Sequence, residues 1–531
     1  MADPSDLILD RVMLAPHGLK RWAESDPGRI ALQHVDGPSI TYGELDRQAR
    51  TWADGLGRLG VGTGVHVATF LPNEFDSYRV LLALAWLRAV EIPVNVAYIG
   101  RILEYALAQA DAQVLITTGE LASRVAPLMS RLPRLETVVV LDQAAAGLAV
   151  EGVRVVDRAR LLDGAEPASG LPGPECWDLA ALLYTSGTTG PSKAVRMPWG
   201  AIYQNWSWVP EDAFGPGEGL HCALPLFHNS GRSGFNCVLA RGGRFVMREK
   251  FSATHVWDEV RRTNCAALAL VGPLTALLHS APPRPDDADN PVRHVILGPM
   301  IPEMEAFEAR FGVRVCVAYG QTEIGCPLTS GWEHGPASSC GKRRDSYPWP
   351  EVRVVDQYDR PLGPDQPGEL VVRARAPWGF NLGYYNMDAE TVAAWRNGWF
   401  HTGDVFTYDI DGNYYFVDRL KDTIRRRGEN ISSFEVEQYV LAYPSVRECA
   451  AVGVRSPLGD EEILVVVIPE PGASFDPAGL MDFLAANTAP FMIPRYVDVV
   501  ADIPRSETTG RVRKQDLRDR GLPSSAWDRM A

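Results

Sequence analysis

A buried strand running straight into a loop of glycines and small hydroxyl residues constrains this chain more than any other feature. Asp178-Leu-Ala-Ala-Leu-Leu183 is an apolar run of strand length. It leads into Tyr184-Thr-Ser-Gly-Thr-Thr-Gly-Pro-Ser-Lys193, where four small hydroxyl residues and two glycines fill Thr185–Gly190. Small side chains let backbone N–H groups approach an anion, and the hydroxyls add donors. Lys193 adds a mobile positive charge. The segment reads as a phosphate-cradling loop, although the Gly-Lys-Ser/Thr ending of a Walker A loop is absent. Taken alone, the same composition also suits a surface turn.

Strands and helices alternate on both sides of this loop. Thr41-Tyr-Gly-Glu44 opens an amphipathic helix with a Thr/Glu start signal. Val65–Leu71 reads as a strand, 76–90 as a helix and Val114–Thr118 as a strand, and the pattern resumes over 177–330. Such alternation predicts an α/β fold with doubly wound, largely parallel sheets. From about 350 the character changes. Val352–Asp356, Gly368–Ala374 and Gly412–Val417 read as short strands between turns, which predicts a β-rich subdomain over about 340–420. A small α+β C-terminal domain follows, with helices at 433–442 and 476–488 and strands at 447–454, 462–468 and 496–500. The predicted division is a large domain over 1–420 and a small one over 421–531. Gly55-Leu-Gly-Arg-Leu-Gly60 matches G-x-G-x-x-G but follows a helix, so it reads as a helix end.

Net charge is −14 over 531 residues, which argues against nucleic acid or an anionic membrane as partner. The eight cysteines, at 176, 222, 237, 265, 316, 326, 340 and 449, form no CxxC pair and fit neither a zinc site nor a disulfide framework. They read as reduced thiols. No apolar run reaches the ~18 residues of a membrane span. Met1-Ala-Asp-Pro-Ser-Asp6 leads into no long apolar stretch, so no signal peptide and a cytoplasmic location are expected.

Further segments bear chemistry. Tyr319-Gly-Gln-Thr-Glu323 offers an aromatic face, a glycine turn, a hydroxyl and a carboxylate after a predicted strand. A carboxylate near a phosphate loop suits Mg²⁺, which takes one or two carboxylates plus phosphate oxygens. Trp399-Phe-His-Thr-Gly-Asp404 ends in an acid that could accept hydrogen bonds from a ribose diol, and it also fits a plain β-turn. Arg419, Lys421, Arg425, Arg426 and Arg427 crowd a short run that is either a solvated basic face or a place to meet polyphosphate.

In this order, the segments resemble the adenylate-forming superfamily of acyl- and aryl-CoA synthetases, luciferase-like ligases and adenylation domains. The resemblance spans about residues 18–518. Gly383-Tyr-Tyr-Asn386 and Val417-Asp-Arg-Leu-Lys-Asp422 are most similar to crotonobetaine/carnitine-CoA ligase-like enzymes. It implies an ATP-dependent ligase that turns an acid into its AMP anhydride and passes it to a nucleophile, most often CoA. Thr185, Ser186, Gly187, Thr188, Thr189, Gly190 and Lys193 match the phosphate loop. Gly298, Pro299, Met300, Tyr319 and Gly320 match the adenine region, and Thr322 and Glu323 the α-phosphate and Mg²⁺ contacts. Asp404 matches the ribose ligand, and Arg419 the ribose/phosphate arginine. Lys421 falls at the interdomain hinge, and Gly428 in the loop lining the thiol's path. Pro225-Leu-Phe-His228 matches the segment beside the acid pocket, with His228 a catalytic candidate and Phe227, Asn229, Arg232 and Gly325 as pocket candidates. Monomers and homodimers are both common in such families.

One departure stands out. The family carries Thr-Gly-Lys-hydrophobic-x-Lys near its C-terminus, and its first lysine reaches the reacting carboxylate and α-phosphate. Here the segment is Thr509-Gly-Arg-Val-Arg-Lys514. Either Arg511 does the lysine's work, or Lys514 substitutes through a register shift, or the activated acid is unusual. The last reading admits an adenylating enzyme with a non-thiol acceptor, such as an ATP-dependent diazotase that activates nitrite for an aryl amine. A degenerate nucleotide-binding protein is a further alternative. The stretch His228, Asn229, Ser230 and Arg232 is polar, which points to a small polar or aromatic acid, with Arg232 either pairing with the substrate or facing solvent. Trp206, Trp208 and Phe235 form either an aromatic pocket wall or core.

Overall fold

A computed structural model describes residues 8–142, 152–185, 192–298, 304–333, 335–336, 339–419, 423–426, 429–455, 461–504, 512 and 514–530. The chain separates into two compact units. The larger comprises 1–96, 107–183 and 194–418, and the smaller 97–106, 184–193 and 419–531. The smaller unit thus takes in two segments that sequence reasoning assigned to the large domain, and one of them is the phosphate-loop segment.

The larger unit is built on two sheets. In the seven-stranded one, Arg154–Asp157, Thr137–Val140, Val114–Thr117, His66–Phe70, Val90–Pro93 and Leu179–Thr185 lie side by side, with Lys193–Pro198 at the edge. The pairings from Arg154–Asp157 through to Leu179–Thr185 are all parallel. The thirteen-stranded sheet has a parallel half running from Ile30–His34 through Arg244–Met247, Gly219–Cys222, Cys265–Val271 and His294–Gly298 to Arg314–Gln321. There the chain turns back, and Gly325–Gly331, Ser339–Arg343, Asn413–Arg419, Phe400–Tyr408, Gly368–Arg373 and Glu351–Val355 continue the sheet. The predicted β-rich region is thus the antiparallel half of this sheet.

The helix Tyr42–Arg58 shows how local signals act. Thr41 Oγ1 accepts from Glu44 N, and a Glu44 carboxylate oxygen accepts from Thr41 N at 3.0 Å, closing the capping box. Its apolar face, with Leu45, Ala49, Trp52, Ala53 and Leu56, enters the main core beside the helix Phe75–Leu87. Gly55 and Gly57 lie within this helix and Gly60 just past its end at φ +91°, so the G-x-G-x-x-G match is a helix terminus.

The smaller unit packs the helices Ser433–Leu441 and Pro477–Asn487 against a four-stranded sheet that includes Val446–Arg455, Glu461–Pro469 and Tyr496–Val499. The alternation of a half-exposed strand is absent there. Ile463, Leu464, Val465, Val466 and Val467 are all fully buried, because both sheet faces are covered.

Candidate active site

The hairpin joining Arg314–Gln321 to Gly325–Gly331 carries the candidate groups, and two glycines permit its tight turn. A Cβ at Gly320 would fall 2.1 Å from Gly325 O. Gly325 itself has φ +56°, a left-handed conformation that strains other residues. On this frame the Tyr319 hydroxyl donates to Asp404 Oδ2 at 2.8 Å. Gln321 Nε2 donates to the same oxygen and to Thr402 O, both at 2.9 Å. Asp404 is 2% exposed, and its own N–H donates to Thr402 Oγ1. A buried carboxylate needs such donors, because desolvating it unpaired is costly. The Tyr319 ring is buried too, edge-on to Phe406 at 4.7 Å, in a cluster with Ile324, Leu328 and Phe400.

Glu323 lies at the hairpin's tip. Tyr384 Oη donates to its Oε1 at 3.0 Å, and Asn381 Nδ2 donates to its carbonyl at 2.7 Å. Burial, then the Glu323 charge, raise the Tyr384 phenol above its ordinary pKa, so this hydroxyl is a donor at neutral pH. Among the described residues no group of three or more His, Cys, Asp or Glu gathers as a metal site. A carboxylate such as that of Glu323 is the kind of ligand that suits Mg²⁺ when phosphate oxygens supply the rest.

Gly298 ends the strand His294–Gly298, and an added Cβ would press on Ala318 O at 3.2 Å. Pro299 and Met300 lie outside the described residues, as do Ser186, Gly187, Thr188, Thr189, Gly190, Lys421, Gly428 and Arg511. Thr185 closes the strand Leu179–Thr185, and Lys193 opens Lys193–Pro198. Within the smaller unit, Glu435 Oε1 accepts from Ser192 N at 2.8 Å and from Ser192 Oγ at 2.7 Å. Burial raises the Glu435 carboxyl against the opposing pull of these two bonds.

The helix Asn229–Arg241 begins directly after His228, whose ring lies 4.7 Å from that of Phe227. Of the two readings of Arg232, solvent exposure is overturned. Arg232 is 4% exposed, so it does not face solvent, and its Nη1 donates to Glu91 Oε2 at 2.7 Å while Nη2 reaches Leu226 O. Thr69 Oγ1 donates to the other Glu91 oxygen at 2.8 Å. A guanidinium buried this deeply needs a counter-charge, and Glu91 supplies it from the strand Val90–Pro93. Both terminal nitrogens are thus engaged within the protein, while its buried Nε has no hydrogen-bond partner among the described residues. Phe235 is fully buried core, packed on Tyr78 and Phe245, and Trp206 is buried in the same cluster.

The family model for AMP-binding enzymes matches residues 19–385, and that for the AMP-binding enzyme C-terminal domain matches 435–509. The chain belongs to the AMP-binding enzyme family. Its relatives include a sulfoacetate–CoA ligase of Cupriavidus necator, 31% identical over 490 residues, covering 91% of this chain and 92% of that one. A crotonobetaine/carnitine–CoA ligase of Salmonella choleraesuis is 27% identical over 90% of this chain and 93% of its own. The fold matches that of an o-succinylbenzoate CoA synthetase from Bacillus subtilis, with a TM-score of 0.82 and 24% identity, over 95% of this chain and 99% of that one. This AMP-binding enzyme is thus an adenylate-forming ligase of the acid–CoA ligase branch.

Two residues of the candidate site escape sequence reasoning in different ways. Gln321 sits inside a segment already singled out, but nothing local shows that its amide reaches Asp404, 83 positions on. Tyr384 lies in Gly383-Tyr-Tyr-Asn386, a signature whose aromatic could have been read as a partner for a nearby acid. In the C-terminal part, Lys514 Nζ donates to Ser433 Oγ and pairs with Glu437 Oε1, each at 2.7 Å. Arg419 ends the strand Asn413–Arg419.

Proposed function

We propose that the chain activates a small polar or aromatic acid with MgATP and transfers it to CoA. A carboxylate oxygen attacks the α-phosphorus, the bond to the bridging oxygen breaks, and pyrophosphate leaves. The CoA sulfur then attacks the acyl carbon, its proton is lost, and AMP departs. The observation that carries this reading is the buried Asp404 carboxylate, gripped by Tyr319 and Gln321 on the hairpin that also bears Glu323. Asp404 accepts the ribose hydroxyls, with Arg419 nearby in sequence. Residues 185–190 and Lys193 cradle the phosphates, with Thr322 at the α-phosphate. Gly298–Met300, Tyr319 and Gly320 border the adenine. Mg²⁺ would be held by Glu323 with the phosphate oxygens and would neutralise their charge. Phe227, His228, Asn229 and Gly325 border the acid. The enzyme's part is mostly positioning and charge stabilisation.

AMP and pyrophosphate release across a panel of acids, with and without CoA, tests the reading. Turnover needing both a carboxylic acid and CoA is expected. The observation favouring a second reading is Arg511 at the usual lysine position. AMP release driven by nitrite and an aryl amine, indifferent to CoA, would establish that reading instead.

Lys421 is the expected hinge between the two steps. Lys421→Pro should leave acyl-AMP formation within ~3-fold of wild type while slowing thioester formation by ~10-fold or more, since closure and reopening gate such steps. Equal loss in both half-reactions, read by pyrophosphate exchange and by CoA transfer from preformed acyl-AMP, counts against a hinge there.

A further inference from the structure

Asp404 stands on a break in the sheet ladder, and a carboxylate from the neighbouring strand holds that break. Between Gly368–Arg373 and Phe400–Tyr408, Glu369 pairs with Val405 and Val371 with His401. Leu370 alone therefore lies opposite Thr402, Gly403 and Asp404, a bulge that interrupts the ladder and re-aims the side chains on it. Gly403 turns through φ +70°, a left-handed conformation that glycine adopts without strain. Its N–H donates to Glu369 Oε1 at 3.1 Å. Beside it, Thr402 Oγ1 donates to Leu370 O at 2.7 Å and accepts from Asp404 N at 3.1 Å.

The other Glu369 oxygen is engaged as well. Oε2 lies 2.8 Å from His401 Nδ1, which donates to it when that nitrogen carries the proton. Arg396 Nη2 lies 2.8 Å from the same ring nitrogen and 3.5 Å from Asp359 Oδ1, and His401 Nε2 faces that Asp359 oxygen at 3.8 Å. The side chains of Glu369 and His401 are only 15% and 5% exposed. Hydrogen bonds to an ionised acceptor are roughly twice as strong as neutral ones, so the Glu369 carboxylate grips the Gly403 N–H firmly. Asp404 is thereby fixed from two sides. Tyr319 and Gln321 hold its carboxylate, and Glu369 holds the backbone just before it.

We infer that Glu369 is a positioning residue of the nucleotide site: by holding the Gly403 N–H, it sets the bulge that presents Asp404 to the ribose. This rests on the reading of Asp404 as the ribose ligand above. The test compares calorimetric binding of MgATP and of Mg-2′,3′-dideoxyATP, which lacks both ribose hydroxyls, with a melting curve for each variant. The wild type should prefer ATP by ~100-fold, the scale of two hydroxyls on one carboxylate, and Asp404→Ala should bind the two nucleotides about equally. Glu369→Ala should shrink the preference by ~10-fold through weaker ATP binding, and leave the dideoxy nucleotide within ~3-fold of wild type. A merely structural role would weaken both nucleotides alike. Glu369→Gln keeps an acceptor for Gly403 and should hold the preference within ~3-fold of wild type. Glu369→Asp keeps the charge but withdraws the carboxylate by one methylene, and should shrink the preference as the alanine variant does, which preserves the test should that variant fail to fold. A wild-type preference in both Glu369→Ala and Glu369→Asp, or equal loss of both nucleotides, overturns the inference and leaves the ribose reading standing when Asp404→Ala has lost the preference. Equal binding of the two nucleotides by the wild type, or a wild-type preference in Asp404→Ala, overturns both.

Discussion

Asp404→Ala is expected to lower kcat/KM for ATP by ~10²–10³-fold, with the loss falling mainly on nucleotide binding. A hydrogen bond to a charged group contributes ~1.5–3 kcal/mol, and two ribose hydroxyls on one carboxylate would contribute ~3–4 kcal/mol after imperfect additivity, against ~1.4 kcal/mol per factor of ten. The variant also strands two donors, since the Tyr319 hydroxyl and Gln321 Nε2 both end on Asp404 Oδ2. Stability should therefore fall by ~1–3 kcal/mol, the cost of leaving buried donors unsatisfied. Tyr319→Phe separates the effects. It removes one of those donors and keeps the carboxylate, so ATP use should drop by no more than ~10-fold. Pyrophosphate exchange and calorimetric nucleotide binding, with a melting curve for each variant, give the comparison. A folded Asp404→Ala protein that binds ATP as wild type does would rule out the ribose role.

What can be read from the chain is what adjacent residues decide. The capping box of Thr41 and Glu44 acts over three positions, and the helix it opens stands where the pattern puts it. The two helices and three strands read over 433–500 begin and end within a residue or two of their signals, because continuous apolar runs and turn residues bound them, whereas sequence reasoning does not find the strands Thr423–Arg426 and Glu429–Ser432 or the helix Lys514–Arg520. Sheet membership is a different matter. The strand Asn413–Arg419 lies beside Ser339–Arg343, and local pattern says nothing about which edge a strand joins. That is why the β-rich region reads as a subdomain when its strands extend the parallel sheet. The same limit explains Arg232. A polar stretch after His228 suggests a pocket wall, but the arginine's counter-charge comes from Glu91, 141 positions earlier. The Tyr319–Glu323 segment is legible because one tight turn concentrates its chemistry.

Arg511→Ala should slow acyl-AMP formation by ~10²–10³-fold, the usual cost of losing a well-placed donor at a developing charge. Lys514→Ala should slow it far less, by under ~10-fold, and should destabilise instead, because its ammonium is already engaged in a partly buried pair. That ammonium is held by Ser433 Oγ and Glu437 Oε1, and the same glutamate oxygen accepts from Ala451 N. Lysine and glutamate thus tie the helix Ser433–Leu441 to the strand Val446–Arg455. Serving the reacting carboxylate would require Lys514 to leave both partners and strand Glu437, which is only 13% exposed. An arginine at 511 keeps a permanent charge and adds a planar fork of donors, so it can meet a carboxylate and a phosphate oxygen together. Arg511→Lys should then stay within ~10-fold of wild type, because the charge is kept and only the fork is lost. Single-turnover pyrophosphate release, measured beside the melting temperature, separates the two residues. A larger rate loss from Lys514→Ala than from Arg511→Ala would mean that the register has shifted and that the lysine reaches the site after all.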